Sequence, residues 1–394
     1  MQLKKALTFN TLRFGIAYAL GLFVAGVDLS ISVRAGEALT GNSLGGTASY
    51  VLIALGTIIA ARIGAPQLQR FGPRRTFFVA GIICVLSGVS TSYAAYAGVP
   101  GLLYVGMLLI GVFMGLSNFH RLLVKDHSNS PNPWDTSLVL LSGVVGSILG
   151  PWAAGSVAGS VAEFSKAYQL VIAVGGLVLL TSLMLPKHSK TSAEHATTAS
   201  FDDRGLLYLG GIAGMFGYAA MTLMMTAVPL AAQSQGLESQ DISRLTEMHM
   251  VAMYLPIVLV PPLLARCSAR TTATGALGVG AIGGVVVLMI DSQLGKTSLF
   301  MLMLIAGVIW AFSYTSASNM VAENQFGKAN PAARGRVEML PPAGMMVGAI
   351  LAGLLLEYSG FLSVTVAFIA VSVAAVLTLF VLGRNSIVVG VNQR

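Results

Sequence analysis

The amino-acid sequence predicts an all-α membrane protein that crosses the bilayer twelve times. Hydrophobic residues make up 55% of the 394 residues and charged residues only 10%, whereas a soluble domain usually carries about 25% charged residues. Apolar runs of about twenty residues, the length that a helix needs to cross the hydrocarbon of a bilayer, recur along the chain. Backbone N–H and C=O groups in lipid must form hydrogen bonds with one another, as they do in a helix or a closed barrel. The sequence lacks the alternation of apolar and polar residues that is typical of barrel strands, so these runs are predicted to be helices.

The positions of the basic residues agree with spans that alternate in direction across the membrane. The twelve apolar runs lie near 12–34, 44–63, 76–96, 100–121, 136–158, 167–185, 205–231, 246–265, 272–290, 297–319, 339–358 and 362–383. With the N-terminus placed inside, 19 of the 23 Lys and Arg residues fall in inner segments, and only Arg34, Lys166, Arg244 and Lys296 fall in outer ones. Because basic residues concentrate in cytoplasmic loops, both termini are expected in the cytoplasm, with the protein in a bacterial inner membrane. The basic stretch 1–11 is interpreted as leading into the first span rather than as part of a removed signal peptide.

The chain is also predicted to consist of two related halves. Its longest polar stretch divides it into an N-terminal half at 1–186, a cytoplasmic linker at 187–204 and a C-terminal half at 205–394. A proline and two arginines recur 196 residues apart, as Pro66, Arg70 and Arg74 and again as Pro262, Arg266 and Arg270. Three glycines of the fifth span of each half recur 198 residues apart, as Gly146, Gly150 and Gly155 and again as Gly344, Gly348 and Gly353. Duplicated six-helix halves with a binding site between them are a common plan of secondary transporters.

The loop after the second span resembles a signature of the major facilitator superfamily. That signature is an acidic residue followed by Arg-x-Gly-x-Arg-Arg; Arg70, Gly72, Arg74 and Arg75 match it, and Gln69 stands at the acidic position. The resemblance implies a conformational latch between the halves at this loop, which would have to use the amide of Gln69 instead of a charge. The alternative is that the arginines only set the orientation in the membrane.

The fifth span resembles a Gly-x-x-x-Gly-Pro signature that is associated with antiporters of the same superfamily. Gly146, Gly150 and Pro151 match it. Glycines four residues apart allow close helix approach and a proline kinks the helix, so tight packing is the alternative to a role in antiport. The arginine that those antiporters often carry in span 4 is absent, with Gly111 near its place.

Few ionisable residues lie inside the predicted spans, and such residues are functional candidates. Asp28, about 24 Å along the first span, is interpreted either as a proton carrier or as an interfacial carboxylate that caps a helix or pairs with Arg34. His249 is a second candidate for proton coupling, against an alternative of interfacial solvation. Arg121 is expected to bind an anionic substrate, pair with a carboxylate or extend to the lipid headgroups. The sequences around Asn118 and His249 are similar to a little-characterised bacterial branch of the superfamily.

The resemblance implies that spans 1, 4, 7 and 10 line a central cavity. Most of the residues predicted to bind substrate there are aromatic or carry an amide: Tyr104, Asn118, Arg121, Tyr218, Trp310, Tyr314 and Asn319. Such a lining favours a small amphipathic or aromatic solute. Three methionines are alternatively candidate copper ligands, although methionine is also a common filler of apolar cores: Met221, Met224 and Met225. Four further charges are interpreted as those of cytoplasmic loops: Glu323, Arg334, Arg336 and Glu338.

These observations predict a secondary active transporter and not an enzyme. The sequence contains neither the Gly-rich phosphate loop of ATP-driven pumps nor histidines with zinc spacing, so no cofactor and no metal site is expected. The first hypothesis is proton-coupled export of a small organic solute. The alternatives are proton-coupled import of a nutrient or vitamin, and a membrane receptor that binds without transporting. The expected partners are the solute, protons and the lipid bilayer, without nucleic acid, and the chain is expected to act as a monomer.

Overall fold

The structure, a computed structural model, describes residues 8–128, 132–157, 163–187, 201–324, 326–327 and 330–391. Within these ranges the chain is helical and forms no strand. In chain order the α-helices are Phe9–Thr40, Ser43–Ala97, Pro100–Ser117, His120–Asp126, Pro133–Val157, Phe164–Ser182, Phe201–Ser234, Ser239–Tyr254, Val260–Leu264, Ala269–Ile290, Lys296–Glu323, Pro331–Glu338 and Leu340–Val391, and a short 3-10 segment, Leu255–Leu259, joins the eighth of these to the ninth. Most of the predicted linker, 188–200, lies outside the described residues, as do Lys4, Lys5, Lys190, Lys328 and Arg394.

Two of the long helices each contain two spans. Ten helices in the described ranges are long and apolar enough to cross a bilayer. The helix Ser43–Ala97 is interrupted at Gly72, where φ is 76°, and Leu340–Val391 is interrupted at Gly360, where φ is 77°. Positive φ combined with an extended ψ is accessible mainly to glycine, so each of these glycines ends one span and begins the next. The predicted twelve spans are confirmed. Glycine is favoured at position 72 of the loop motif because the backbone there adopts a positive φ.

Most helices extend a few residues beyond the predicted spans. The first helix runs from Phe9 to Thr40, and the tenth span continues to Glu323, which was expected in a loop. A prediction from apolar runs misses such ends, because they project beyond the hydrocarbon into the headgroup region, where polar residues are favourable. At the start of the first helix, the Thr8 side chain caps the backbone N–H of Thr11.

The helix packing repeats between the halves. Span 5 packs on span 1 so closely that a Cβ atom at Gly150 would lie 2.6 Å from the Phe23 carbonyl oxygen. Span 11 packs on span 7 in the same way, and a Cβ atom at Gly348 would lie 2.6 Å from the Ala219 carbonyl oxygen. The predicted pseudo-symmetry of two six-helix halves is therefore present in the contacts between helices.

The repeated arginines also make equivalent contacts. The Nε atom of Arg74 donates to the Leu185 carbonyl oxygen over 3.1 Å, and Nε of Arg270 donates to the Leu379 carbonyl oxygen over 3.1 Å. Each arginine thus binds backbone at the end of the sixth span of its own half, where cations stabilise the last turn of a helix. Gln69 and Arg70 are exposed.

Small residues bring the two halves together away from that loop. Span 5 meets span 8 where Gly155 faces Ser243, and span 11 meets span 2 where Gly353 faces Thr47. These two contacts are related by the same pseudo-symmetry. The faces between the halves are therefore formed by spans 2, 5, 8 and 11, and the remaining inner spans 1, 4, 7 and 10 are free to surround a central site.

Candidate functional site

A central cavity lies between the two halves. Its lining comes from spans 1, 2, 4, 7, 8 and 11 and is dominated by methionine and tyrosine, with few other polar groups: Met114, Met221, Met225, Met250, Met253, Met345, Tyr50, Tyr218 and Tyr254, together with Ser117, Asn118 and Thr222. The cavity has a volume of about 50 Å³. Ligand pockets usually measure about 300–1,000 Å³, so the cavity is contracted in this conformation.

A stack of aromatic rings forms one wall behind the cavity. Trp310 and Tyr314 of span 10 are stacked with centroids 4.7 Å apart, and the rings of Tyr218 and Tyr254 meet Trp310 edge-on at 5.6 and 5.2 Å. These distances and angles are those of favourable aromatic pairs. The Nε1 atom of Trp310 is buried without a hydrogen-bond partner among the described residues. The wall therefore holds one buried donor without a partner in the part of the chain that the structure describes.

A second void continues the cavity toward the face where spans 2, 4, 6, 8 and 10 end. We call this face the basic face, because most Lys and Arg residues lie there. The void measures about 30 Å³. Four residues line both spaces: Met114, Asn118, Tyr218 and Met345. Their side chains therefore separate the central cavity from a path toward the basic face.

Three ion pairs join the halves across that path. They connect Arg121 with Glu338, Lys125 with Glu323 and Arg334 with Asp126, at N–O distances of 2.6, 2.7 and 3.1 Å. The side chains of Arg121 and Glu338 are only 1% and 8% exposed. The interpretation of Glu323, Arg334, Arg336 and Glu338 as loop charges was wrong, because all four lie in helices. Glu323 ends a helix, and the other three lie on Pro331–Glu338, which packs into the bundle and leaves Arg336 exposed.

Two residues that were predicted to bind substrate form hydrogen bonds with these ion pairs. The Nε atom of Arg121 donates to the Tyr314 hydroxyl over 2.8 Å, and Nζ of Lys125 donates to Oδ1 of Asn319 over 3.1 Å. Buried hydrogen bonds to charged groups are strong, so these contacts reinforce closure at the basic face. In this conformation Arg121 is neutralised by Glu338 and lies outside the lining of the cavity.

Asp28 lies deep inside the N-terminal half. It is fully buried, twelve residues before the helix ends at Thr40, so it does not cap a helix end. The Ser32 hydroxyl donates to its Oδ1 atom, and the Tyr168 hydroxyl lies 3.0 Å from the Ser32 oxygen. Among the described residues Asp28 forms no ion pair, and its Oδ2 atom has no hydrogen-bond partner. Asp28 is therefore a buried carboxylate that accepts one hydrogen bond and has no cationic partner among the described residues.

Comparison with known proteins shows which transporters this chain resembles. No protein-family model matches the chain. It is 22% identical over 361 residues to the riboflavin transporter RfnT of Brucella anthropi, an alignment that covers 89% of this chain and 90% of that protein. It is also 22% identical over 333 residues to YddS of Bacillus subtilis, an uncharacterised transporter of the major facilitator type, with 79% and 76% covered.

Solved structures of transporters share the fold over nearly the whole chain. The proton:xylose symporter XylE superposes with a TM-score of 0.72 at 13% identity, covering 94% of this chain and 95% of that one. The human organic anion transporter MFSD10 superposes with a TM-score of 0.71 at 13% identity, covering 96% and 100%. The chain has the fold of the major facilitator superfamily. It is a multi-pass membrane protein whose two relatives are named as transporters, in agreement with the resemblance of its loop and span motifs.

The residues that were predicted to bind substrate do not all lie at the cavity. Asn118 and Tyr218 line the cavity, and Trp310 and Tyr314 stand behind it. Tyr104 does not line the cavity. Its hydroxyl donates to the Gly45 carbonyl oxygen over 2.9 Å, and this contact joins span 4 to span 2 near the face opposite the basic face. Their roles in binding stay predictions.

His249 is buried in span 8 and does not lie at the interface. Its Nδ1 atom is 2.7 Å from the Met303 carbonyl oxygen of span 10, and its Nε2 atom has no hydrogen-bond partner in the described part of the chain. The alternative of interfacial solvation is therefore wrong. Its proposed part in proton coupling stays a prediction.

Most residues of the cavity lining were missed by the sequence analysis. Of the three methionines considered there, Met221 and Met225 line the cavity, whereas Met224 is buried elsewhere in the C-terminal half. Tyr50 and Tyr254 also line it, from spans 2 and 8. The available signal was the abundance of methionine, 18 residues in 394, which is informative only once the helices are packed.

Proposed function

We propose that this chain is a secondary active transporter of a planar, amphipathic organic solute of the vitamin class, coupled to protons through Asp28. The observation that carries this proposal is the methionine- and tyrosine-lined cavity between the halves, beside a stack of aromatic rings. Aromatic rings favour planar ligands, and flexible thioethers adapt to their outline. The relative named a riboflavin transporter supports a solute with a planar ring system.

Transport would proceed by rocking of the halves about the central site. The solute enters between the halves and contacts Tyr218 and Tyr254, and the cavity expands around it. Opening toward the basic face requires that the three ion pairs separate and that the Tyr218 side chain moves aside. The excess of basic residues makes this the cytoplasmic face, with both termini inside.

Uptake is the direction we favour, because the relative is named for a vitamin. The prediction of export depended on the glycine and proline motif of span 5. In the structure, packing of that motif against span 1 is sufficient to account for its glycines. Export by antiport stays a prediction, and a cell assay separates the two directions. Uptake predicts growth of a riboflavin auxotroph on limiting riboflavin, whereas export predicts resistance to toxic planar compounds.

The proposal is tested with riboflavin and a panel of other planar heterocycles as probes. A ligand that binds the folded protein raises its melting temperature in proportion to the logarithm of concentration. We expect one probe to do so and to undergo counterflow in proteoliposomes, and we expect Tyr218→Ala to abolish both effects. Tyr96→Ala is the matched control, because that side chain is 80% exposed. Binding without counterflow would favour the receptor alternative, and binding of no probe would contradict a planar solute.

A soft monovalent cation is the second candidate cargo. Six thioethers line one small cavity, and the buried His249 precedes Met253 by one helical turn, which places both on one face of span 8. Thioether and imidazole are ligands that favour Cu(I). This candidate predicts that Cu(I) under reducing conditions stabilises the protein. It also predicts that Met221→Leu with Met225→Leu, which nearly conserves volume, removes that stabilisation.

A further inference from the structure

Asp28 is separated from the central cavity by its neighbours. On span 1 the cavity is lined by Ala25 and Leu29, on either side of Asp28 in the sequence, and Tyr50 of span 2 adds an aromatic ring. Asp28 itself is not part of the lining and is fully buried. Tyr50 is the lining tyrosine that also interacts with Asp28, so a proton route from the cavity would use its hydroxyl.

A chain of hydroxyl groups leads to Asp28 from another direction. The Ser32 hydroxyl has one proton and donates it to Oδ1 of Asp28. The Tyr168 hydroxyl, 3.0 Å from the Ser32 oxygen, must therefore be the donor in that contact. All three side chains are completely buried. The three groups form a continuous hydrogen-bonded row with a single direction of donation, which ends at the carboxylate.

The outer end of this row lies near the face opposite the basic face. Tyr168 is four residues into the helix Phe164–Ser182, which corresponds to about 6 Å from its first residue. That helix begins at the face opposite the basic face. The row lies entirely within the N-terminal half, between spans 1 and 6, and does not use the interface between the halves.

No other ionisable side chain competes for this carboxylate in the described surroundings. Tyr50 from span 2 and Tyr168 from span 6 are the titratable groups that interact electrostatically with Asp28. On the side of span 5, the neighbouring turn of span 1 packs at Gly26 against Gly150 and Pro151, which carry no titratable group.

We infer that protons reach Asp28 through Tyr168 and Ser32, inside the N-terminal half, while the solute uses the central cavity. Oδ1 of Asp28 takes the Ser32 hydroxyl proton, Ser32 takes the proton of Tyr168, and Tyr168 recovers one from a hydronium ion, which leaves water. Only O–H bonds form and break, and the carboxylate becomes neutral. This inference rests on the proposed proton coupling through Asp28, and it assigns Tyr168 and Ser32 as positioning residues.

The test follows protonation of Asp28 directly and needs no substrate. In protein reconstituted in nanodiscs, the carbonyl stretch of protonated Asp28 is identified by infrared spectroscopy as the band that Asp28→Asn removes. After a rapid drop in pH, Tyr168→Phe is expected to slow the appearance of this band by about tenfold or more, because a positioned proton donor is lost. The final amplitude should stay unchanged. Ser32→Ala should slow the band as well and shift its frequency, since a hydrogen bond to the carboxyl group is lost.

Tyr50→Phe is the matched control, because it removes the hydroxyl of the tyrosine that separates Asp28 from the cavity. It is expected to leave the rate of Asp28 protonation unchanged. An unchanged rate in both Tyr168→Phe and Ser32→Ala, or an equal slowing in Tyr50→Phe, would overturn the inference. Absence of any titrating band that depends on Asp28 would overturn it together with coupling at Asp28. Counterflow in proteoliposomes reports on the transport function separately.

Discussion

Asp28 illustrates how strongly one side chain depends on its surroundings. A buried carboxylate is costly unless hydrogen bonds compensate its charge. Here one donor, Ser32, reaches it, and the second oxygen atom has no partner in the described chain. Its protonation state is therefore expected to change when the surrounding helices move and water gains access. A coupling residue needs this sensitivity, and Asp28 has it to a greater degree than Glu37 near the end of the same helix, which is only half-buried.

Asp28→Asn is expected to abolish accumulation driven by a pH gradient while exchange of solute across proteoliposomes persists. The amide cannot exchange a proton but fills the same space, so the solute site is kept. Glu37→Gln is the control, because that carboxylate lies on the same helix near its end and accepts from Gln233 over 3.3 Å. Gradient-driven accumulation by Asp28→Asn at the rate of the unmodified protein would show that the proton carrier lies elsewhere.

At the scale of helices, two kinds of contact hold the bundle in its present arrangement. Glycines let spans 1 and 5 approach until backbone meets backbone. Ion pairs join span 4 to span 10 and to the helix Pro331–Glu338 at the basic face. The contacts of Gly146 and Gly150 with span 1 lie within one half, whereas the ion pairs connect the halves and are expected to break during transport. Gln69 is exposed and carries no charge, and a latch at the loop after span 2 stays a prediction.

Gly150→Ala is expected to destabilise the protein by about 1–3 kcal/mol, the usual cost of overpacking. The new methyl group would meet the Phe23 carbonyl oxygen, a backbone atom that cannot rotate away, at 2.6 Å. Gly155→Ala in the same span is the control, since its methyl group would lie 3.4 Å from the Ser243 hydroxyl, an ordinary contact. Thermal unfolding followed by circular dichroism measures both, and equal melting temperatures would contradict this account of span 5.

Arg121→Ala is expected to open the path from the basic face. Removing one partner of a buried ion pair leaves the other charge uncompensated, at a cost of about 3–5 kcal/mol, which exposure of Glu338 to water would relieve. The measurement is alkylation of Asn118→Cys, in a chain that also carries Cys84→Ala and Cys267→Ser, by a water-soluble maleimide.

The control for this experiment exchanges the two charges. Combining Arg121→Glu with Glu338→Arg restores an ion pair of opposite polarity. This exchange is expected to return the labelling rate toward that of the chain in which Arg121 and Glu338 are unchanged. If Arg121→Ala leaves the labelling rate unchanged, the ion pair does not hold this face closed.

At the scale of the whole molecule, pseudo-symmetry and closure are the dominant features. The halves repeat the same helix contacts, and they meet on both sides of a cavity of about 50 Å³. Two rigid bodies around a central site can alternate in access without unfolding. The charges break the symmetry, because basic residues concentrate at one face.

Fusions at both ends of the chain test the orientation of the molecule in the membrane. We expect a green fluorescent protein at either terminus to fluoresce in bacterial cells, and an alkaline phosphatase there to stay inactive, since both termini are predicted to face the cytoplasm. A phosphatase inserted after Asp291, between spans 9 and 10, is the control and should be active. The opposite pattern would invert the assignment of the basic face.

The sequence by itself determined the class of the protein, its spans and its two halves. Span length and hydropathy are local properties, because lipid selects helices of about twenty apolar residues. The repeated Pro, Arg and Gly positions can likewise be read directly from the sequence. In the structure, Gly72 lies where the backbone adopts a positive φ, and Gly150 lies where span 5 closely approaches span 1.

Only the tertiary structure decided which side chains meet. Arg121 and Glu338 are 217 positions apart, and the methionines of the cavity come from four different spans. Spans in a bundle contact apolar lipid on one side and apolar protein on the other, so the pattern of their residues barely indicates which side faces inward. The rotation of each helix about its axis follows from packing against its neighbours, and this rotation placed Tyr104 outside the cavity, Tyr50 in its lining and Asp28 behind it.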